Sequence, residues 1–148
     1  MKSILITTDF SSDSKYTIEY VINFMNETKI PCRILLLNTY LLPKHSHQDN
    51  NDLVSTNDEL RRKSQENLIK EKQIAENILK NHDISIETAS HFGTLKNVVF
   101  RLIKKEKFDF VAMGKDGGKH VESIAALLKE QECPLLITYH HKESKNKS

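Results

Sequence analysis

The chain has 148 residues, 38% of them apolar and 28% charged, which matches one globular domain (1–148) and leaves no room for a second. Its 22 basic and 20 acidic residues nearly balance, at a formal charge of +2, which excludes the basic footprint of a nucleic-acid binder. No apolar run approaches the roughly 20 residues needed to cross a bilayer, and none forms a signal core. Cys32 and Cys133 stand far apart in apolar contexts and read as reduced thiols. These features predict a cytoplasmic protein with neither membrane nor nucleic acid among its partners.

Ser3 to Thr8 (SILITT) predicts a first strand that ends at Asp9. Ser11 and Ser12 can cap the following helix, whose Tyr16, Ile18, Tyr20, Val21, Phe24 and Met25 supply a wide apolar face. Cys32 to Asn38 (CRILLLN) is a nearly uninterrupted apolar strand, suited to a central place covered on both sides. Thr39 to Val54, with Pro43 and the run HSHQDNND, reads as a long flexible loop. Thr56 with Glu59 has capping-box spacing and predicts the start of a long helix reaching about Asn81, with Leu60, Ile69, Ile74, Ile78 and Leu79 as its stripe.

Ile84 to His91 alternates apolar and polar residues, as a strand nearer the sheet edge does. Gly93 and Thr94 open a helix with Leu95, Val98, Val99, Leu102 and Ile103 at helical spacing. Asp109 to Met113 is a fourth strand, Val121 to Glu132 a fourth helix, and Pro134 starts the last strand, PLLITY. His140 to Ser148 reads as a disordered tail. Alternating strand and helix predict an α/β fold with a parallel sheet.

Gly114, Gly117 and Gly118, three of the chain's four glycines, fall between the fourth strand and the fourth helix. Glycine lets backbone N–H groups approach an anion, and a helix N-terminus adds unpaired N–H groups and a positive dipole end. Lys115 and Lys119 add positive charge. A strand-to-helix turn also needs glycine for its geometry alone, so the turn by itself leaves ligand binding open. Open parallel sheets bind ligands at the carboxyl ends of their strands, which here are Thr8-Asp9, Asn38-Thr39 and Met113-Gly114. An acid, a polar strand end and the glycine turn therefore converge.

The run ILITTDFSSDSKYTIEYV resembles the opening strand, acidic turn and first helix of universal stress protein domains. FGTLKNVVFRLIKKEKFDFVAMGKDGG is similar to their third helix and fourth strand, and ECPLLIT to their last strand. The resemblance spans essentially the whole chain. It implies a three-layer α/β/α sandwich, Rossmann-like and of the adenine nucleotide α-hydrolase-like type, with a five-stranded sheet ordered 3-2-1-4-5. It also implies a homodimer through the last strand, Pro134 to Tyr139.

In the nucleotide-binding branch of that family, the acid after the first strand and the end of the second surround the adenosine. Thr8, Asp9 and Thr39 occupy those positions here. Two glycines separated by two residues, then about nine residues and a further glycine followed by serine or threonine, hold the phosphates. Met113, Gly114, Gly117 and Gly118 match the first part. The second part is shortened: only GKHVE separates Gly117 from the helix, Glu122 stands at the expected glycine, and Ser123 corresponds to the terminal serine. Fewer N–H donors and a nearby carboxylate, partly offset by Lys115, Lys119 and His120, weaken the phosphate end. ATP or AMP is therefore the expected ligand, held through an impaired site, with AMP demanding fewer contacts.

His45, His47, Asp49 and Asp52 have atoms suited to a metal but no fixed element to set their geometry, and His140 and His141 are weaker still. No metal is expected beyond a nucleotide-borne Mg ion. Asp9 and Asp116 could polarise a water if a phosphate lay between them, yet acids at strand ends are more often turn-formers or ligand contacts. The SGGxDS-like and HxGH-like motifs of α-hydrolase enzymes are missing, as is the acidic pair of a phosphate receiver. The reading is a stress-response binding and signalling module, not an enzyme. The alternative is a dimeric protein-interaction module of the same fold without nucleotide.

Overall fold

The computed structural model describes residues 1–41, 50–115 and 119–139, and the side chains of these except at 50–56, 119 and 120. Five strands alternate with four helices: β1 (Lys2–Thr7), α1 (Ser12–Thr28), β2 (Cys32–Tyr40), α2 (Asn50–Asn77), β3 (Ile84–Phe92), α3 (Leu95–Lys105), β4 (Phe110–Gly114), α4 (Lys119–Glu130) and β5 (Leu135–Thr138). All pairings are parallel, in the order β3-β2-β1-β4-β5. The chain winds outward from β1 to β3, then crosses back through α3 to β4 on the other side of β1.

Strand pleating sends alternate side chains to opposite faces, and the two faces carry separate cores. Ile4, Ile6, Ile34, Leu36 and Ala112 meet Ile18, Val21, Ile22 and Met25 of α1 and Leu68 and Ala75 of α2. Leu5, Leu35, Leu37, Val111 and Met113 meet Val98 and Val99 of α3 and Ile124, Leu127 and Leu128 of α4. This is the expected three-layer α/β/α sandwich. β2 is apolar along its length because both its faces are covered.

Several local expectations are corrected. Tyr20 and Phe24, assigned to the inner face of α1, are 45% and 55% exposed; Thr17 and Ile22 take the inner positions. Of the segment read as a loop over 39–54, Thr39 and Tyr40 belong to β2 and 50–54 to α2, and 42–49 lie outside the described residues. Thr56 and Glu59 consequently lie inside α2 and do not begin it. The buried stripe of α2 is Ser64, Leu68, Glu71 and Ala75, while Ile69 and Ile74 are each 52% exposed. Two polar side chains on the inner stripe shift the phase that hydrophobicity alone suggests. α4 starts at Lys119 and ends at Glu130, earlier than expected, and β4 includes Gly114. The histidines and aspartate at 45, 47 and 49, together with Asp116, Gly117, Gly118 and the tail 140–148, lie outside the described residues, as does the side chain of Asp52.

Candidate functional site

The winding reversal on either side of β1 leaves a crevice at the carboxyl ends of β1 and β4. A cavity of about 310 Å³ opens there. Its walls are the turn Thr7 to Asp9, the first residues of α1, the end of β2 from Asn38 to Leu41, the β3–α3 junction Gly93 to Leu95, and Met113 with Gly114.

The β1 side is closely tied. Ser11 caps α1 by accepting a hydrogen bond from Ser14 N at 3.2 Å. Asp9 Oδ1 accepts from Ser14 Oγ at 2.7 Å and from Ser11 N at 3.0 Å, and Asp9 N donates back to Ser14 Oγ. Burial pushes the Asp9 carboxyl upward, but hydrogen bonds from the Ser11 and Ser14 side chains and from the backbone outweigh it and hold it below the usual carboxylate range. The cavity therefore has a fixed anion at the end of β1.

Thr8 lines the cavity, yet its side chain serves the protein. Its Oγ1 donates to Glu71 Oε2 at 3.1 Å and accepts from Phe10 N at 3.0 Å. Its carbonyl accepts from Asn38 Nδ2 at 2.7 Å, and Asn38 Oδ1 in turn accepts from Ser64 Oγ at 2.7 Å. Phe10 adopts φ 68°, a left-handed conformation that costs an L-residue roughly 1–2 kcal/mol. The bond to Thr8 and packing of the Phe10 ring against the α1/α2 core hold it there.

On the β4 side, Met113 is buried and Gly114 pairs with Thr138 of β5. A Cβ on Gly114 would lie 3.3 Å from Thr17 Oγ1 and 3.4 Å from Asp13 Cβ. The glycine thus eases the close approach of α1, which a Cβ would crowd by a few tenths of an ångström, in addition to any approach by a ligand. Thr17 Oγ1 donates to Asp13 O at 2.9 Å, which spends its one proton, so Thr138 is the donor in the 2.7 Å contact between the two hydroxyls. Lys115 sits beyond Gly114 with its ammonium 5.2 Å from the centre of the Tyr139 ring.

Of the expected site residues, the structure brings Thr8, Asp9, Thr39, Met113 and Gly114 to one cavity. Ser123 is half-buried in α4 and is not among the described lining residues; Glu122 is exposed in the first turn of that helix. Sequence reasoning missed the wall from Gly93 to Leu95. Gly93 N donates to Tyr40 O at 3.0 Å, and Thr94 Oγ1 caps α3 by accepting from Asn97 N at 3.2 Å. It also missed Tyr40, which lines the cavity and packs edge-on against Phe92, centroids 5.9 Å apart. The crevice rule applied to the end of the third strand points to the first; nothing in the pattern marks the second. Among the described residues no group of three His, Cys, Asp or Glu side chains is placed to hold a metal ion.

Residues 1–139 match the universal stress protein family. The chain belongs to the universal stress protein family. Its fold is similar to that of UspA from Lactobacillus plantarum, with a TM-score of 0.68 and 14% identity over 92% of this chain and 96% of that one. It is also similar to an Arabidopsis thaliana universal stress protein family member solved with AMP bound, with a TM-score of 0.64 and 16% identity over 100% of this chain and 97% of that one. The Archaeoglobus fulgidus universal stress protein in complex with dAMP follows at 0.54 and 10%, covering 93% and 97%. No curated protein matches this chain. Among the described residues of this universal stress protein domain, no helix is long and apolar enough to cross a membrane.

Proposed function

We propose that this protein is a cytoplasmic binding module of the stress response that holds an adenine mononucleotide in the cavity at the ends of β1 and β4. The observation that carries this reading is the ionised Asp9, fixed at the end of β1 by Ser11 and Ser14 in the cavity that Gly114 also lines. A carboxylate repels phosphate but accepts hydrogen bonds from ribose hydroxyls, so the nucleoside belongs at Asp9, Thr39 and Tyr40. The phosphate belongs toward Gly114 and Lys115. Relatives of the same fold bind AMP and dAMP, which supports the ligand class.

The cavity's 310 Å³ lies near the small end of the roughly 300–1,000 Å³ range of ligand sites, which favours a monophosphate over a triphosphate. The shortened run from Gly118 to Glu122 favours the same order. The module binds its ligand without turning it over: Asp9, with its affinity for protons lowered by Ser11 and Ser14, is a weak general base. Titration calorimetry with AMP, ADP and ATP tests this. Micromolar AMP binding that disappears in Asp9→Ala supports it, and nucleotide hydrolysis that disappears in the same variant contradicts the binding-only reading.

A second copy of the chain is the proposed partner, through Pro134 to Tyr139. Among the described residues β5 pairs with β4 on one side only, and an apolar groove between Tyr20, Phe24, Phe110 and Leu136 runs beside it. The same groove favours the second reading, an interaction module without nucleotide. A tight dimer in light scattering with no heat from any nucleotide selects that reading.

A further inference from the structure

Glu71 has no part in the cavity wall, yet its side chain is only 5% exposed and reaches from α2 to the end of β1. Desolvating a carboxylate is costly unless its hydrogen bonds are satisfied, and among the described residues Oε1 of Glu71 has no hydrogen-bond partner. Its neighbours are largely apolar: Ile18, Ile74, Ala75 and Ile78 share a small cavity with it, together with Lys15 and Glu19 of α1. An alkyl side chain would satisfy packing alone. Among the described residues, the hydrogen bond that the Glu71 side chain does make is to Thr8.

That bond determines how the next two residues lie. A threonine hydroxyl has one proton and two lone pairs. With its proton given to Glu71 Oε2, Thr8 Oγ1 offers a lone pair to Phe10 N, the amide of the left-handed residue. Asp9 is the residue between them, and its carboxylate is the fixed anion of the cavity. The carbonyl of Thr8 is held from the same helix by the relay Ser64 to Asn38. α2 therefore grips Thr8 at both of its polar ends, and Asp9 is set by residues of a helix none of whose described side chains lines the cavity.

We propose that Glu71 is a positioning residue for the nucleotide site: by orienting the Thr8 hydroxyl it holds the Asp9–Phe10 turn in the conformation that meets the ligand, without touching the ligand itself. This rests on the reading of the cavity as an adenine-mononucleotide site. Removal of the carboxylate frees the Thr8 proton and leaves the Phe10 amide without an oriented acceptor. Glutamine keeps an oxygen that can accept from Thr8. Leu68, one turn earlier on the same buried stripe, provides a packing control.

The test compares full-length Glu71→Ala, Glu71→Gln, Thr8→Val, the Glu71→Ala/Thr8→Val double variant and Leu68→Ala. AMP affinity is measured by calorimetry, and exchange of the Asp9 and Phe10 amides by NMR on the ligand-free protein. Glu71→Ala and Thr8→Val should each weaken AMP binding by about fivefold to tenfold and speed Phe10 exchange. The double variant should be no worse than either single one, because both remove the same bond. Glu71→Gln should restore affinity to within about threefold, and Leu68→Ala should lose stability while its folded fraction binds AMP as the wild type does. Unchanged AMP affinity in Glu71→Ala overturns the proposal, as does unchanged Phe10 exchange. If the wild type itself takes no AMP, the nucleotide reading fails, and Phe10 exchange in the ligand-free variants still decides whether Glu71 holds the turn.

Discussion

The two faces of the sheet are built from different materials. Among the described residues, every buried side chain of α3 and α4 is apolar: Val98, Val99, Ile124, Leu127 and Leu128. The face covered by α1 and α2 instead buries Asp13, Ser14, Thr17, Ser64 and Glu71. These polar groups gather at the carboxyl ends of the strands, where they hold Thr8, Asp9, Asn38 and Thr138. One face supplies packing, and the other exchanges packing for placement. A sheet bound on both sides can thus keep stability and ligand recognition on separate layers.

Substitutions that cost stability on one layer and affinity on the other test this division. Leu128→Ala, in the α3/α4 core, should cost about 2–5 kcal/mol in urea unfolding yet leave AMP affinity of the folded protein unchanged. A large affinity loss there would break the comparison. Thr17→Val strands the Thr138 hydroxyl and should cost about 1–3 kcal/mol, with weaker AMP binding because the wall behind Gly114 loosens. Asp9→Asn keeps an acceptor but removes the charge; AMP affinity should fall about tenfold, or ~1.4 kcal/mol, in calorimetry.

Glu71 gives the comparison a pH signature. Burial lifts its carboxyl above the ordinary glutamate range; the Thr8 hydrogen bond and Lys15 pull it down and Asp9 pushes it up, leaving a net rise. Glu19 of α1 also borders it. The folded protein then holds this proton more tightly than the unfolded chain. The stability that follows is fully present below the ordinary glutamate value and is lost as pH rises through the folded one. Glu71→Gln lacks that loss, so the wild type should weaken relative to it as pH rises across this window; parallel unfolding curves would contradict the burial argument.

The smallest effect is expected at the other end of the strands. Arg33 pairs with Glu87 at 2.8 Å and with Glu106, all partly exposed. Arg33→Met should change stability by less than about 1 kcal/mol and AMP affinity not at all.

Sheet order followed from the family resemblance, and the strands themselves from composition: CRILLLN is apolar throughout because β2 is covered on both sides. α2 was harder to phase. Its inward positions include Ser64 and Glu71, so Ile69 and Ile74 gave a more hydrophobic but outward stripe. Tyr20 and Phe24 misled in the same way, as they belong to the groove beside β5. At the site, strand ends were legible because the crevice rule needs only element order. The grip of Glu71 on Thr8 was not, because it joins residues 63 positions apart through one hydroxyl, and no local pattern encodes such a pair. Gly114 was legible as a special position, although the close approach it visibly permits is that of α1.

The Thr17–Thr138 hydroxyl pair bears on how the molecule breathes. β5 is a four-residue edge strand, the sort of element that frays first in native-state exchange. Here its fraying carries the Thr138 donor away from Thr17 and withdraws the neighbour of Gly114 in register. Edge strand and cavity wall should therefore open together, so amide exchange at Gly114 and Thr138 is expected to share one opening rate, and any contact that slows fraying at the rim would slow opening of the crevice as well.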